Sequence, residues 1–460
     1  MLTLSERMAA FAEGFRYEDI PPGALRMAKT VVLDSLGCAL GGFGQEDCRI
    51  LRSFATAQGS VPEGTLIGSG ERVSAVDASL VNSVLIRVLD FNDVYWKQDP
   101  SHPSDLLGGA LALAEREGKG GRELLTALVL GYEFELRLCE AARPGIRELG
   151  WHHATLTSVA SPILAGKLLG LTATQMAHAI GISAVHGPTL GAATAGALSM
   201  MKNTVDPLAV QRGVWAALLA GRGCTGPLAV LEGPEGLFAE VGEGWDAGAL
   251  TEGLGEGGEM RIEKVSLKAF AAEYLTHSPI TALLALREAH GLRAENVRRI
   301  TVKTSARAAQ ILGDPAKYEP ATKETADHSL PYCMAAALVD GEVTPAQFAE
   351  TRLWDPRIRA LLPKVKVEVA PEMEALTPEN QPALVEVETT SGEVFSREVR
   401  YARGDPRDPM SEEEVEAKFR ALASEVLSAE RQDELLASAR RLEEVERIGD
   451  LVALTVAEQG

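Results

Sequence analysis

The sequence predicts a mainly α-helical protein with a smaller α+β lid domain towards its C-terminal end, and three features of the chain lead to that class. The first 240 residues are rich in Ala, Leu and Gly and include ELLTALVLGYEFELRLCEAA and LAVQRGVWAALLAG, which are apolar on most faces, as helices inside a large bundle are. A glycine-rich acidic stretch, GEGWDAGALTEGLGEGGE, then breaks the composition between Val241 and Met260. Beyond it come short runs of β-branched residues with a period of two.

Thr3 with Glu6 and Thr172 with Gln175 have the capping-box spacing that satisfies the free amide groups at a helix start. Gly and Pro punctuate the intervals between helices. After the linker, RRITVKT at 298–304, KVKVEV at 364–369 and ALVEVETTSGEVFSREVRY at 383–401 read as strands, the last as a hairpin around a Ser-Gly turn. Helices near His328 and around the TPAQF segment fall between them, which makes this part α+β. Ser411 and Glu414 form another capping box, and the chain returns to amphipathic helix through residue 455. The expected domains are therefore residues 1–260 with 406–460, an all-helical unit built from both ends of the chain, and residues 261–405.

Composition removes several classes of function. With 45 basic and 65 acidic side chains the formal charge is −20, so no basic stripe is available to displace counterions from nucleic acid. An anionic ligand needs a locally positive pocket instead. There is no run of eighteen apolar residues, and MLTLSERMAAFAEGF has no basic segment followed by an apolar one, so the expectation is a cytoplasmic protein without a membrane partner. Cys38, Cys48, Cys139, Cys224 and Cys333 are far apart and none lies in a CxxC or CxxH pair, which argues against disulfides and against a cysteine-bound zinc or iron–sulfur centre.

The densest polar segment is LDFNDVYWKQDPSHPSDLLGG at 89–109, where Asp90, Asn92, Asp93, Asp99, His102, Ser104 and Asp105 crowd between two apolar helices. Turn formation and capping by Ser104 or Asp105 account for some of these residues, and loops of this kind are also where sites tend to lie. The LDFND stretch followed by HPSD resembles the signature of the MmgE/PrpD family. VVLDSLGCALGG, GWHHA at 150–154, SMMKN, KAFAAEYLTH and HSLPYCMAAAL agree with it in order and spacing over nearly the whole chain. Departures are Val94, where many relatives have threonine, AFAAEY in place of a Phe-Pro or Tyr-Pro pair, and the segment before His102.

The resemblance implies a helical domain with an inserted α+β domain, a homodimer, and a lyase without metal or organic cofactor. Among relatives it is closest to dehydratases of 2-methylcitrate. It assigns catalytic roles to Asp90, His102, His152, Lys202, Lys268 and Tyr332, and substrate contacts to Asp93, Ser104, His153 and His277, with His153 an alternative to His152. These residue types suit elimination of water from a small tricarboxylate such as 2-methylcitrate or citrate. A neutral histidine can move the proton, and lysines in a dry cleft stabilise charge growing on the carboxylate. Decarboxylation of cis-aconitate, epimerisation or isomerisation of a dicarboxylate, and carboxylate binding without chemistry are the alternatives that the same residues allow.

Overall fold

The computed structural model describes residues 2–196 and 198–458. Helices dominate it. The apolar segments singled out above become the helices Gly121–Ala141 and Met201–Gly221, and the first is buried along nearly its whole length. They pack with Ala75–Arg87, Leu106–Arg116 and Ala154–Leu169 into one bundle. The capping boxes at Thr3, Thr172 and Ser411 all form. The helix Glu412–Ala423 returns to lie on Pro22–Gly42, so the two ends of the chain meet.

Eight strands occur among the described residues. Four make two short ribbons, β1 (Gly64–Thr65) with β2 (Arg72–Val73) and β3 (Tyr95–Trp96) with β4 (Pro100–Ser101). These fall where the sequence suggested helices and loops alone, because two residues per strand are too few to display a period of two. The other four, β5 (Val297–Thr304), β6 (Val365–Val369), β7 (Ala383–Thr389) and β8 (Val394–Val399), form one sheet in the order β6-β5-β7-β8. β5 is parallel to β6 and antiparallel to β7, and β7 and β8 are the hairpin closed by the Ser391–Gly392 turn. Alternate residues of β7 are buried, which sets the register Ile300 with Val387 and Val302 with Val385. The helices His277–His290 and Leu330–Asp340 pack on this sheet, and the TPAQF segment is a single 3-10 turn, Pro345–Phe348, rather than a longer helix. The glycine-rich stretch contains two short helices of its own, one ending at Val241 and one at Ala247–Thr251, and buries Val241 and Leu250 against the bundle.

Two glycines bring backbones together beneath the polar loop. A Cβ on Gly108 would lie 2.4 Å from the amide nitrogen of Ser83, so its absence lets two helices touch. Gly404, at φ +95°, has Leu267 O where a Cβ would be, and its carbonyl accepts the Leu267 amide at 3.0 Å. That contact fixes the backbone next to Lys268.

Candidate active site

The polar loop folds over the bundle and places its charged side chains inside the protein. Asp90 follows the helix Ala75–Arg87 at φ +50°, a left-handed backbone uncommon outside glycine, and this turns its carboxylate back to Arg87, with which it forms a short ion pair. Lys268 Nζ donates to Asp90 Oδ1 at 2.9 Å and to the Asp90 carbonyl at 3.1 Å. Lys202 Nζ lies 3.5 Å from Asp90 Oδ2 and 3.5 Å from Asp327 Oδ2. Burial alone would raise the Asp90 carboxyl, but Lys202, Lys268 and Arg87 outweigh it and hold Asp90 well below the usual carboxylate range. Burial in turn lowers both lysines against the opposing pull of the carboxylates.

Beneath this cluster Lys418, from the helix Glu412–Ala423, pairs with Asp34 at 2.7 Å and donates to the carbonyls of Phe91 and Lys268. One buried ammonium thus ties VVLDSLG, LDFND and SLKAF together.

A cavity of about 40 Å³ opens on this cluster. Asp90, His102, His153 and Lys268 are the predicted residues on its wall, joined there by Arg87, Arg147, Glu273 and His328. His102 Nδ1 is 2.8 Å from the Asp93 carbonyl. A carbonyl only accepts, so Nδ1 carries the hydrogen and Nε2 keeps its lone pair. Burial, helped by Arg87 and Lys268, lowers His102 well below the ordinary histidine value and keeps it neutral. Arg147, also lowered chiefly by burial, has no side-chain hydrogen bond or ion pair among the described residues and lines the cavity as an unpaired guanidinium.

The remaining predicted residues are not on the cavity wall. Lys202 is fully buried behind Asp90. Asp93 accepts from Tyr132 at 2.6 Å and from the Ser104 amide at 3.1 Å, and burial pushes it up to about 6. The Ser104 hydroxyl accepts from Asn92 at 2.9 Å, so Asp93 and Ser104 shape the loop. His152 is buried with Nδ1 accepting the Ala154 amide at 3.1 Å, while His153 beside it faces the cavity. His277 lies among Phe270 and Tyr274, with Nε2 3.2 Å from the Ala272 carbonyl, and burial pushes it down to about 3. Tyr332 is in the core and donates its hydroxyl to the Gln347 carbonyl at 2.7 Å, so the donor assigned to acid chemistry is committed to the fold.

Arg87, Arg147, Glu273, Asp327 and His328 were not singled out from sequence as site residues. His328 stands in the same HSLPY motif as Tyr332, and its Nδ1 is 2.6 Å from Asp327 Oδ1. Burial raises Glu273 to about 7 and lowers His328 to about 4. Two groups have donor atoms within 4.8 Å of one another, His152 with His153 and Asp206, and Asp90 with Asp327 and His328. Arg87, Lys202, Lys268 and Lys323 already neutralise the second group, and Arg87 and Arg147 stand beside the first. That charge balance suits a proton or an anionic ligand better than a divalent cation.

A larger cavity, about 690 Å³, lies between the N-terminal helix and the glycine-rich stretch, against Phe11, Arg137 and Arg261. No predicted residue reaches it, so size alone does not locate the chemistry.

The chain matches the MmgE/PrpD N-terminal domain over residues 6–249 and the MmgE/PrpD C-terminal domain over residues 270–444. Cis-aconitate decarboxylase of Homo sapiens is 28% identical over 98% of this chain and 94% of its own length. The enzyme of that name from Aspergillus terreus is 27% identical over 92% and 90%. The 2-methylcitrate dehydratase of Escherichia coli is 28% identical over 76% of this chain and 74% of its own. With both domains matched in order across most of its length, the chain belongs to the MmgE/PrpD family.

Proposed function

We propose that this protein is a lyase that eliminates water from 2-methylcitrate or a similar tricarboxylate, using its own side chains for acid–base chemistry. The observation that carries the reading is the cavity wall, where a neutral histidine with a free Nε2 stands among cations that outnumber the neighbouring carboxylates. His102 Nε2 takes the proton from the carbon next to a carboxylate. Arg147 and Lys268 hold the anionic groups, and their attraction grows as charge develops in a site shielded from water. His153 returns a proton to the departing hydroxide, which leaves as water. Asp90 keeps the two lysines and Arg87 in place.

The helix Glu412–Ala423 packs on Pro22–Gly42, while the cavity wall draws on both sides of the glycine-rich stretch, and together these support the division into residues 1–260 with 406–460 and residues 261–405. At about 40 Å³ it is too tight for a tricarboxylate, and a neighbouring space of about 190 Å³ shares Trp96 and Tyr274 with it. We infer that substrate enters past these two rings and that the parts close around it.

A second reading is decarboxylation of cis-aconitate. Its support is that the relatives with that printed name align over nearly the whole chain, whereas the dehydratases align over three quarters of it. In that reaction His102 would, once protonated, supply the hydrogen to the carbanion left after carbon dioxide departs. Incubating chelator-treated protein with 2-methylcitrate, citrate and cis-aconitate, and weighing the products, separates the two. An alkene from 2-methylcitrate is the expected result; itaconate from cis-aconitate would establish the second reading, and no product from any would overturn both.

A homodimer is also proposed. On the helix Met201–Gly221, Met201, Leu208 and Trp215 recur every seven residues on a face that is exposed or half-buried, with Trp215 44% exposed, and Leu190 stands out from the preceding segment. A second copy is the expected cover for this face.

A further inference from the structure

We propose that Asp206 is a positioning residue that holds His153 as the proton-carrying partner of His102, an inference that rests on the lyase reading above. Asp206 lies one helical turn after Lys202, so one helix face carries both the lysine directed at Asp90 and a second carboxylate directed at the histidines. The Asp206 side chain is buried and accepts no aligned hydrogen bond among the described residues. His153 Nε2 is 3.3 Å from Asp206 Oδ2, and neither His153 ring nitrogen has another hydrogen-bond partner. A buried carboxylate without donors is costly, and His153 is the nearest group able to supply one.

The alternative partner, His152, is ruled out by its tautomer. Its Nδ1, the atom 3.9 Å from Asp206 Oδ1, already accepts the Ala154 amide and therefore has no hydrogen to give. Burial also lowers His152 well below the ordinary value, with His153 the next cause. Of the adjacent pair, whose rings are 4.0 Å apart, His153 alone both faces the cavity and meets the carboxylate.

The groups facing His153 are His152, His102 at 5.7 Å between ring centres, Arg87 and Arg147 across the cavity, and the acids Asp99 and Asp206. The arginines and histidines oppose a positive ring. Asp206 is the acid close enough to offset them, and it is itself held below the usual range by His153 and His152 despite burial. One histidine, His102, is thus kept neutral by burial and by the nearby cations while its neighbour is matched to an anion, which separates base from acid.

The test compares wild type with Asp206→Asn and Asp206→Glu, each first checked for folding by thermal unfolding. Nitrogen NMR of the imidazoles follows the titration midpoint of the His153 ring without substrate. In Asp206→Asn the midpoint should fall by about one pH unit or more, and Asp206→Glu should restore part of it. With substrate, kcat should fall about 100-fold in Asp206→Asn at little cost in KM, and the alkaline limb of its pH profile should move to lower pH. An unmoved His153 midpoint in folded Asp206→Asn overturns the proposal. A moved midpoint in a protein that turns over no polycarboxylate keeps the ion pair and overturns the lyase reading with its proton-carrying role. If Asp206→Asn does not fold, the same comparison is made between wild type and Asp206→Glu, whose longer arm must change the midpoint if the pairing is real.

Discussion

At the scale of single residues, the site depends on carboxyl groups whose protonation burial has changed. Glu135 is the clearest case. Fully enclosed, it accepts from Thr157 at 2.9 Å and from Ser101, the residue before His102, and burial pushes it up to about 8 despite those hydrogen bonds. Its folded value lies above its unfolded one, so its contribution to stability is complete below the ordinary glutamate range and is lost as pH rises through about 8. Glu135→Gln removes that dependence. Between pH 5 and pH 8.5, urea unfolding of wild type should lose on the order of 4 kcal/mol more than the variant; parallel losses would show that Glu135 is ionised in the fold. The sequence made some of these residues legible and hid others. Asp90, His102 and Lys268 stand in polar or motif contexts that drew notice. Arg147 and Asp206 do not, because an arginine before a tight turn and an aspartate inside a helix look like solvated residues until the fold buries them. Tyr332 shows the converse: a motif places it correctly in sequence, but the direction of its hydroxyl depends on packing against the Pro345–Phe348 turn.

At the scale of elements, the helices and the main sheet could be read from periodicity and caps, since those signals are local. β3 and β4 could not, because their pairing is set by the turn between Trp96 and Pro100 and by the Asp99 amide donating to the Cys139 carbonyl. The approach of Ala75–Arg87 to Leu106–Arg116 is likewise a property of two elements together. Alanine at Gly108 should gain about 1 kcal/mol from helix propensity alone if the position were free. The Ser83 backbone 2.4 Å from the missing Cβ predicts instead a net loss of about 1–3 kcal/mol in chemical denaturation. Stabilisation of Gly108→Ala would mean that the two helices are not in contact there. Because Ser83 Oγ also donates to the Asp105 carbonyl at 2.6 Å, the same substitution should disturb the loop that carries His102.

At the scale of the whole molecule, the long-range contacts explain why the motifs are spread over most of the chain. Lys418 joins the backbones of Phe91 and Lys268 and pairs with Asp34, so both ends of the chain support the cavity. Among the described residues no helix is long and apolar enough to cross a membrane. The proposed subunit contact predicts that light scattering gives twice the chain mass, and that Trp215→Glu shifts the protein towards monomer. A wild-type monomer at micromolar concentration would rule out the dimer. Proton transfer by His102 is tested by a single substitution. His102→Asn keeps a donor towards the Asp93 carbonyl and has no imidazole Nε2. With whichever tricarboxylate the wild type accepts, the folded variant should bind substrate within a few-fold of wild type while kcat falls about 10²–10⁴-fold. Turnover by His102→Asn at the wild-type rate would contradict it.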